Sequence, residues 1–245
     1  MRNVDVVIIS WAKNDELKNV TKNGLDTLFN SASGDVAFHA YVVESNPDVN
    51  YDEYNQNKWM HSCRTIHPED KTFGYHKYLN IGVGEGTSEY VVLCNSDLTY
   101  EKDWASNIIN EMEKDTYILS ASPWCPQTQG SNSNVKDKVF KGYRIRGEVA
   151  GWCIFQQRVI YDLIGKLDED ITFWYSDNIY ADELEARKIK HCLVCNSVVN
   201  HHDGNIGKTG ESLDKETIQK YTNEEQKVYL EKKNKLEKNF LYNFK

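Results

Sequence analysis

The chain lacks any apolar stretch of membrane-spanning length. Its opening run, Val6-Val7-Ile8-Ile9, is too short even for a signal peptide and is soon followed by Lys13 and Asp15, so a cytoplasmic protein without a membrane span is expected. Positive charge is also in deficit. Lys and Arg number 29 against 37 Asp and Glu, a formal net charge of −8. That balance argues against nonspecific binding to a nucleic-acid backbone but leaves room for a local basic cleft. The six cysteines show no disulfide-like rhythm. Cys192 and Cys195 form a CxxC, but the flanking Leu193-Val194 and Val198-Val199 read as strand, in which thiols three residues apart point to opposite faces and do not share an ion. Internal repeats and low-complexity segments are missing. So is a dinucleotide fingerprint, because Gly82, Gly84 and Gly86 precede a strand instead of joining a strand to a helix. Nor does Ser10-Trp11-Ala12-Lys13-Asn14 supply the glycine-rich basic loop that a nucleotidyltransferase needs after its first strand.

What is present suits one large soluble α/β domain: 245 residues, 40% hydrophobic and 27% charged. Strands are predicted at 4–10, 38–44 and 90–94, alternating with helices at 15–31 and 77–83 and followed by a helix over 104–112. This order is the signature of a mostly parallel sheet with crossover helices. The polar and aromatic stretch 48–72 reads as an excursion around short strands. The second half is less regular. Residues 127–134 form a predicted mobile loop, 136–146 a basic segment, and 159–165 a helix stopped by glycine. Another helix begins near Asp177, and a late strand covers 191–200. Beyond Gly210 lies a mixed-sign helical tail. The expected division is a domain over 1–210, split into halves 1–100 and 101–210, with the tail at 211–245.

The most informative feature is Asn95-Ser96-Asp97 at the end of Tyr90-Val91-Val92-Leu93-Cys94. A buried strand there delivers a carboxylate to the carboxyl edge of the sheet, where ligands of open α/β sheets gather. An acid at that edge suits a divalent cation holding a phosphate-bearing substrate. The same tripeptide also makes an ordinary turn.

Seven separated stretches share an order with one family. They are Ser10-Trp11 and Glu44 at the ends of the first two strands, Phe73 to Gly82, Glu89 to Leu98, and a second-half series. That series runs through Ile164 to Glu169, Trp174 to Asn178 and Ser197 to His201. Over about residues 4 to 204 the chain resembles the family 2 glycosyltransferases of GT-A fold, particularly short cytoplasmic members from bacteria and their phages. The resemblance implies a nucleotide-sugar site on the first half, an acceptor site on the second, and the host cytoplasm as location if the chain is phage-encoded.

It also implies roles. The family's Asp-x-Asp stands here as Asn95-x-Asp97, which keeps Asp97 as the metal ligand and leaves Asn95 to hydrogen-bond the sugar or ribose without charge. His201 matches the late histidine that completes coordination of Mn²⁺ or Mg²⁺, with His202 the alternative if the register shifts. Asp177 matches the catalytic acid, whose carboxylate takes the proton of the acceptor hydroxyl; as a bare residue it also suits a helix N-cap. A single base opposite the leaving group implies inversion at the anomeric carbon. Ser10, Trp11, Glu44, Lys77, Asn80, Asn95, Ser96 and Asp97 are the expected donor-binding residues, with Trp11 either stacked on uracil or packed in the core. Asp182 is expected to orient neighbours or face solvent, and Trp152 to wall the sugar or be buried. The segment 136–146 is a lid over the diphosphate, a solvated loop, or a seat for an anionic acceptor. The tail packs on the domain, mediates homodimerisation, or reaches a surface. The expected activity is transfer from a nucleotide sugar, with UDP the expected nucleotide, to an acceptor hydroxyl. Two alternatives are a non-catalytic nucleotide-sugar-binding module and a transferase acting on modified bases of phage DNA.

Overall fold

A computed structural model describes residues 1–56, 61–130, 135, 137–202 and 215–242. The first half follows the expected alternation. Strand β1 (Arg2–Ser10) leads through helix α1 (Asp15–Asn30) to β2 (Val36–Glu44), and a 3₁₀ turn at Asp52–Gln56 leads to β3 (Ser62–Ile66). Helix α2 (Tyr75–Glu85) then returns the chain to β4 (Tyr90–Asn95). Asn14 caps α1 by accepting a hydrogen bond from the Leu17 amide. The four strands run parallel in the order β3-β2-β1-β4. Their apolar runs are buried on both faces, as a sheet covered by helices on each side requires.

The second half extends this sheet with mixed directions. Strands β5 (Leu98–Tyr100) and β6 (Ile118–Trp124) flank helix α3 (Trp104–Lys114), and a short α4 (Pro126–Gln129) follows. The chain continues through β7 (Val139–Lys141), β8 (Cys153–Gln157), α5 (Ile160–Ile164) and α6 (Ser176–Ala186) to β9 (Lys190–His201). Across the sheet the order continues β4-β8-β6-β9-β5, with β7 also on β9; β8 runs antiparallel to β4 and β6, whereas β6 and β9 are parallel. A mostly parallel sheet is therefore what the chain forms, with β8, β7 and β5 as its antiparallel members.

One core packs Leu25 and Leu28 of α1 with Trp104, Ile108 and Ile109 of α3; the opposite core packs Tyr78 and Leu79 of α2 with Tyr180 and Leu184 of α6. Beyond the sheet, α7 (Lys215–Tyr242) lies against α6. The Tyr229 hydroxyl donates to Asp182 at 2.8 Å, and Lys233 reaches the same carboxylate at 3.0 Å. Packing on the domain is thus what the described part of the tail does. Among the described residues no helix is long and apolar enough to cross a membrane.

Candidate active site

The end of β4 and the end of β9 meet through β5. Leu98 pairs with His201 in an antiparallel ladder, and the His202 amide donates to the Asp97 carbonyl at 3.1 Å. Side chains alternate along a strand, so this register turns only one of the two adjacent histidines toward Asp97. His201 Nε2 lies 3.2 Å from Asp97 Oδ2, whereas His202 Nε2 lies 2.9 Å from the Thr99 hydroxyl. The imidazole of His201 stacks on Trp152, with centroids 5.4 Å apart and planes 16° from parallel. The Asn95 amide N–H donates to the Trp152 carbonyl at 3.0 Å, and Asn95 Nδ2 is 3.4 Å from His201 Nε2.

Gly151 joins this group to Asp177. A β-carbon built on Gly151 would lie 2.7 Å from Asp177 Cβ and 2.8 Å from its carboxylate. The Tyr75 hydroxyl reaches Asn95 Oδ1 at 2.9 Å and the Gly151 carbonyl at 3.0 Å. Burial pushes the Tyr75 phenol well above its ordinary range, and the charges of Asp177 and Asp97 both add to that shift. Asp97, Asp177 and His201 therefore border one locus, with Tyr75 and the Gly151-Trp152 step between them. Tyr75 lies in the Phe73 to Gly82 stretch but was given no role by the sequence; it opens α2.

Asp177 is the second residue of α6, whose cap position falls on Tyr175 in the left-handed region at φ 65°. Burial raises the Asp177 carboxyl above its ordinary value. The backbone N–H groups of Asn178 and Asp177 and the positive charge of Arg146 oppose that shift. It thus serves the first turn of the helix and also stays partly unsolvated.

The remaining predicted residues divide. Glu44 is buried and accepts from the amides of Ala12 at 3.0 Å and Asn46 at 2.8 Å and from the Tyr51 hydroxyl at 3.3 Å. Ser10 is buried with its hydroxyl 3.0 Å from that of Thr21. These two shape the loop that presents Trp11, which is 49% exposed, so the core-packing alternative for Trp11 does not hold. Ser96 adjoins Asp97, and a β-carbon on Gly24 of α1 would lie 3.3 Å from its carbonyl. Lys77 and Asn80 are engaged elsewhere. Lys77 binds Asp70 at 2.5 Å, and Asn80 binds both backbone groups of Leu167 and the Glu169 carboxylate. In the basic segment, Lys141 pairs with Asp115 and Arg144 with Glu148, so these two anchor their strand and turn; Arg146 faces Asp177. Lys136 lies outside the described residues, as do 131–134 of the predicted loop, while 126–129 form α4.

The donor set suits a hard divalent ion. Adjacent ligands of an octahedral ion with bonds of about 2.1 Å stand about 3 Å apart, close to the Asp97–His201 separation. Among the described residues no third His, Cys, Asp or Glu joins them, so phosphate and water oxygens would complete the sphere. A cavity of about 400 Å³ opens beside Asp97 and His202 against Glu16, Asn19 and Asn23 of α1. The indole N–H of Trp152 is buried without a hydrogen-bond partner among the described residues. A buried donor of this kind calls for an acceptor oxygen.

Comparison with known proteins agrees with this fold. Residues 37–170 match the model of glycosyl transferase family 2. A search of curated protein sequences gives no match. Solved structures with the same fold include residues 1–349 of S. aureus TarS, at TM-score 0.61 and 12% identity over 81% of this chain and 59% of that one. GalNAc-T7 bound to UDP, GalNAc and Mn²⁺ gives TM-score 0.61 and 12% identity over 81% and 43%. The mannosyltransferase PcManGT of Pyrobaculum calidifontis, bound to GDP-Man and Mn²⁺, gives TM-score 0.60 and 14% identity over 81% and 56%. This chain therefore spans less than two thirds of each of these proteins. The family match covers more than half of its residues and includes the strand that delivers Asp97, and on that basis the chain belongs to glycosyl transferase family 2, with the GT-A fold.

Proposed function

We propose that the protein is an inverting, metal-dependent glycosyltransferase that moves a sugar from a nucleotide sugar, a UDP-sugar in our reading, to an acceptor hydroxyl. The observation that carries this reading is the convergence of Asp97 and His201 at 3.2 Å, one residue step from the Gly151–Asp177 contact. Asp97 and His201 would hold Mn²⁺ or Mg²⁺, which as a Lewis acid stabilises the charge growing on a departing diphosphate. The nucleotides and Mn²⁺ bound to GalNAc-T7 and PcManGT support the donor class and the ion.

The chain's own groups do the rest. Trp11, exposed above the Ser10 and Glu44 network, offers a face to the nucleobase. The Trp152 indole N–H and the Asn95 amide supply neutral donors to sugar or phosphate oxygens. Asp177 accepts the proton of the acceptor hydroxyl as its oxygen attacks. Burial raises its proton affinity, which suits it to that work, and such a base contributes on the order of 10² to 10⁴ in rate.

The test is nucleotide release from a panel of UDP- and GDP-sugars with Mn²⁺ or Mg²⁺, beside calorimetric binding of the same donors. Turnover with a UDP-sugar that disappears on chelation is the expected result. Tight donor binding without turnover under any acceptor would establish the non-catalytic module, the reading that the uncharged Asn95 favours.

A further inference from the structure

The turn before α6 and the segment before α2 together leave three large aromatic side chains in water beside this locus. Phe73, Phe173 and Trp174 are 38%, 48% and 39% exposed. They form one group: Phe173 stands 6.2 Å from Phe73 and 4.9 Å from Trp174, the latter edge to face at 81°. Phe173 also meets the edge of Tyr75 at 6.2 Å and 83°, and Tyr75 carries the hydroxyl that binds Asn95 and Gly151. The patch thus continues from the Asp177 locus outward. Trp174 precedes Asp177 by three positions, across the left-handed Tyr175.

The turn that carries Phe173 and Trp174 is held in place. Glu225 of α7 accepts the Phe173 amide at 3.2 Å, and Tyr229 stacks on Tyr175 with centroids 5.1 Å apart. Half-exposed rings that pack on one another from an anchored turn form a preorganised surface, which loses little freedom when a ligand covers it. Contiguous exposed apolar surface beside a polar site is a ligand-binding feature.

Charge selects among ring-bearing ligands. The segments that carry and flank the patch, 69–77, 166–170 and 225–232, hold seven carboxylates against five lysines. Lys77, Lys166 and Lys232 are each paired with Asp or Glu at 2.5 to 2.9 Å. A polyanion would meet net negative charge here. A neutral pyranose would not: its C–H face covers aromatic rings and its hydroxyls donate to the surrounding carboxylates. We infer that Phe73, Phe173 and Trp174 form the acceptor subsite and take the apolar face of a neutral sugar ring, so that the acceptor is a saccharide. This inference rests on the transferase reading above.

The test is saturation-transfer difference NMR on the full chain with UDP and diamagnetic Mg²⁺. The probes are methyl glucoside, methyl galactoside, methyl mannoside, cellotriose, maltotriose and chitotriose, with a single-stranded deoxyoligonucleotide in a parallel arm. The expected result is saturation of ring C–H protons in at least one saccharide. Affinity for it should fall on the order of tenfold in Phe173→Ala and in Trp174→Ala and return in Trp174→Phe, while UDP affinity stays within twofold. No saturation of any saccharide, saturation indifferent to both alanine variants, or saturation confined to the oligonucleotide bases would each overturn the subsite. Failure to bind UDP would instead count against the transferase reading, and the saccharide arm repeated without nucleotide still decides the subsite. Both side chains are half exposed, and melting curves check that the variants fold.

Discussion

Gly151 and Asp177 touch so closely that a single added carbon on the glycine would lie 2.7 Å from Asp177 Cβ. The neighbour is the root of a side chain, near the backbone, so it has no cheap way to move aside. Gly151→Ala should therefore displace Asp177 while leaving the Asp97–His201 pair in place. The expected outcome is a fall in turnover on the order of 10²-fold, with donor KM little changed and stability reduced by about 1–3 kcal/mol. Steady-state kinetics and a melting curve check both numbers. Unchanged turnover would remove Asp177 from the chemistry.

The protonation of Asp177 gives a second prediction. Its folded-state pKa is raised from the ordinary 3.8 by burial, with the Asn178 and Asp177 amides and Arg146 pulling it back; the Tyr75 hydroxyl, the other group facing it, stays neutral. Between 3.8 and the raised value the folded protein keeps a proton that the unfolded chain has lost. Folding stability attributable to this group is therefore full below 3.8 and declines as pH rises through that window. Activity that requires the carboxylate rises across the same window. The acid limb of kcat/KM should lie above the ordinary aspartate range, and Arg146→Ala should move it higher still. Asp177→Asn should abolish turnover, keep donor binding, and raise the melting temperature near neutral pH. A limb that ignores Arg146→Ala would detach it from Asp177.

The two histidines separate by calorimetry. Asp97→Ala should abolish the gain in UDP affinity that Mn²⁺ confers, and His201→Ala should weaken it by more than about tenfold. His202→Ala should change it little, because that ring is occupied with Thr99. Equal losses from both histidine variants would refute the register-based assignment.

Much of this was legible in the sequence because the physics was local. Tyr90 to Cys94 are apolar at successive positions, as a strand buried on both faces must be, and Asn95-Ser96-Asp97 ends them at the sheet edge. Strands β6 and β8 of the second half were not legible, because their inward residues are polar and satisfied at a distance. Ser120 in β6 meets Tyr180 and His191 at 2.8 Å each, and Gln156 in β8 is wholly buried between Tyr180 and Tyr161. No periodicity announces such partners. His201 stands ahead of His202 in the sequence by resemblance alone; that its ring is the one beside Asp97 depends on the pairing with β5, three residues long. Lys77 and Asn80 show the converse: their place in a motif said nothing of Asp70 or Leu167, which claim their side chains.

Helix α7 carries the last prediction. Glu225 accepts backbone N–H groups of the turn before α6, Tyr229 supports the strained Tyr175 and donates to Asp182, and Lys232 binds Asp168 and Asp170. All of these contacts fall on the Asp177 side of the molecule, whereas the Glu44 and Asp97 side receives none of them. Truncation after Gly210 should therefore leave UDP–Mn²⁺ affinity within about twofold while lowering the melting temperature and turnover together. Tyr229→Phe, which keeps the stack and loses one hydrogen bond, should cost about 1 kcal/mol. Tyr229→Ala also leaves the left-handed Tyr175 unsupported, a conformation worth about 1–3 kcal/mol of strain, and should slow transfer more than it weakens donor binding. A truncated chain that melts and turns over like the intact one would make the tail peripheral, and the order of Asp177 would then be owed to Gly151 and α6 alone.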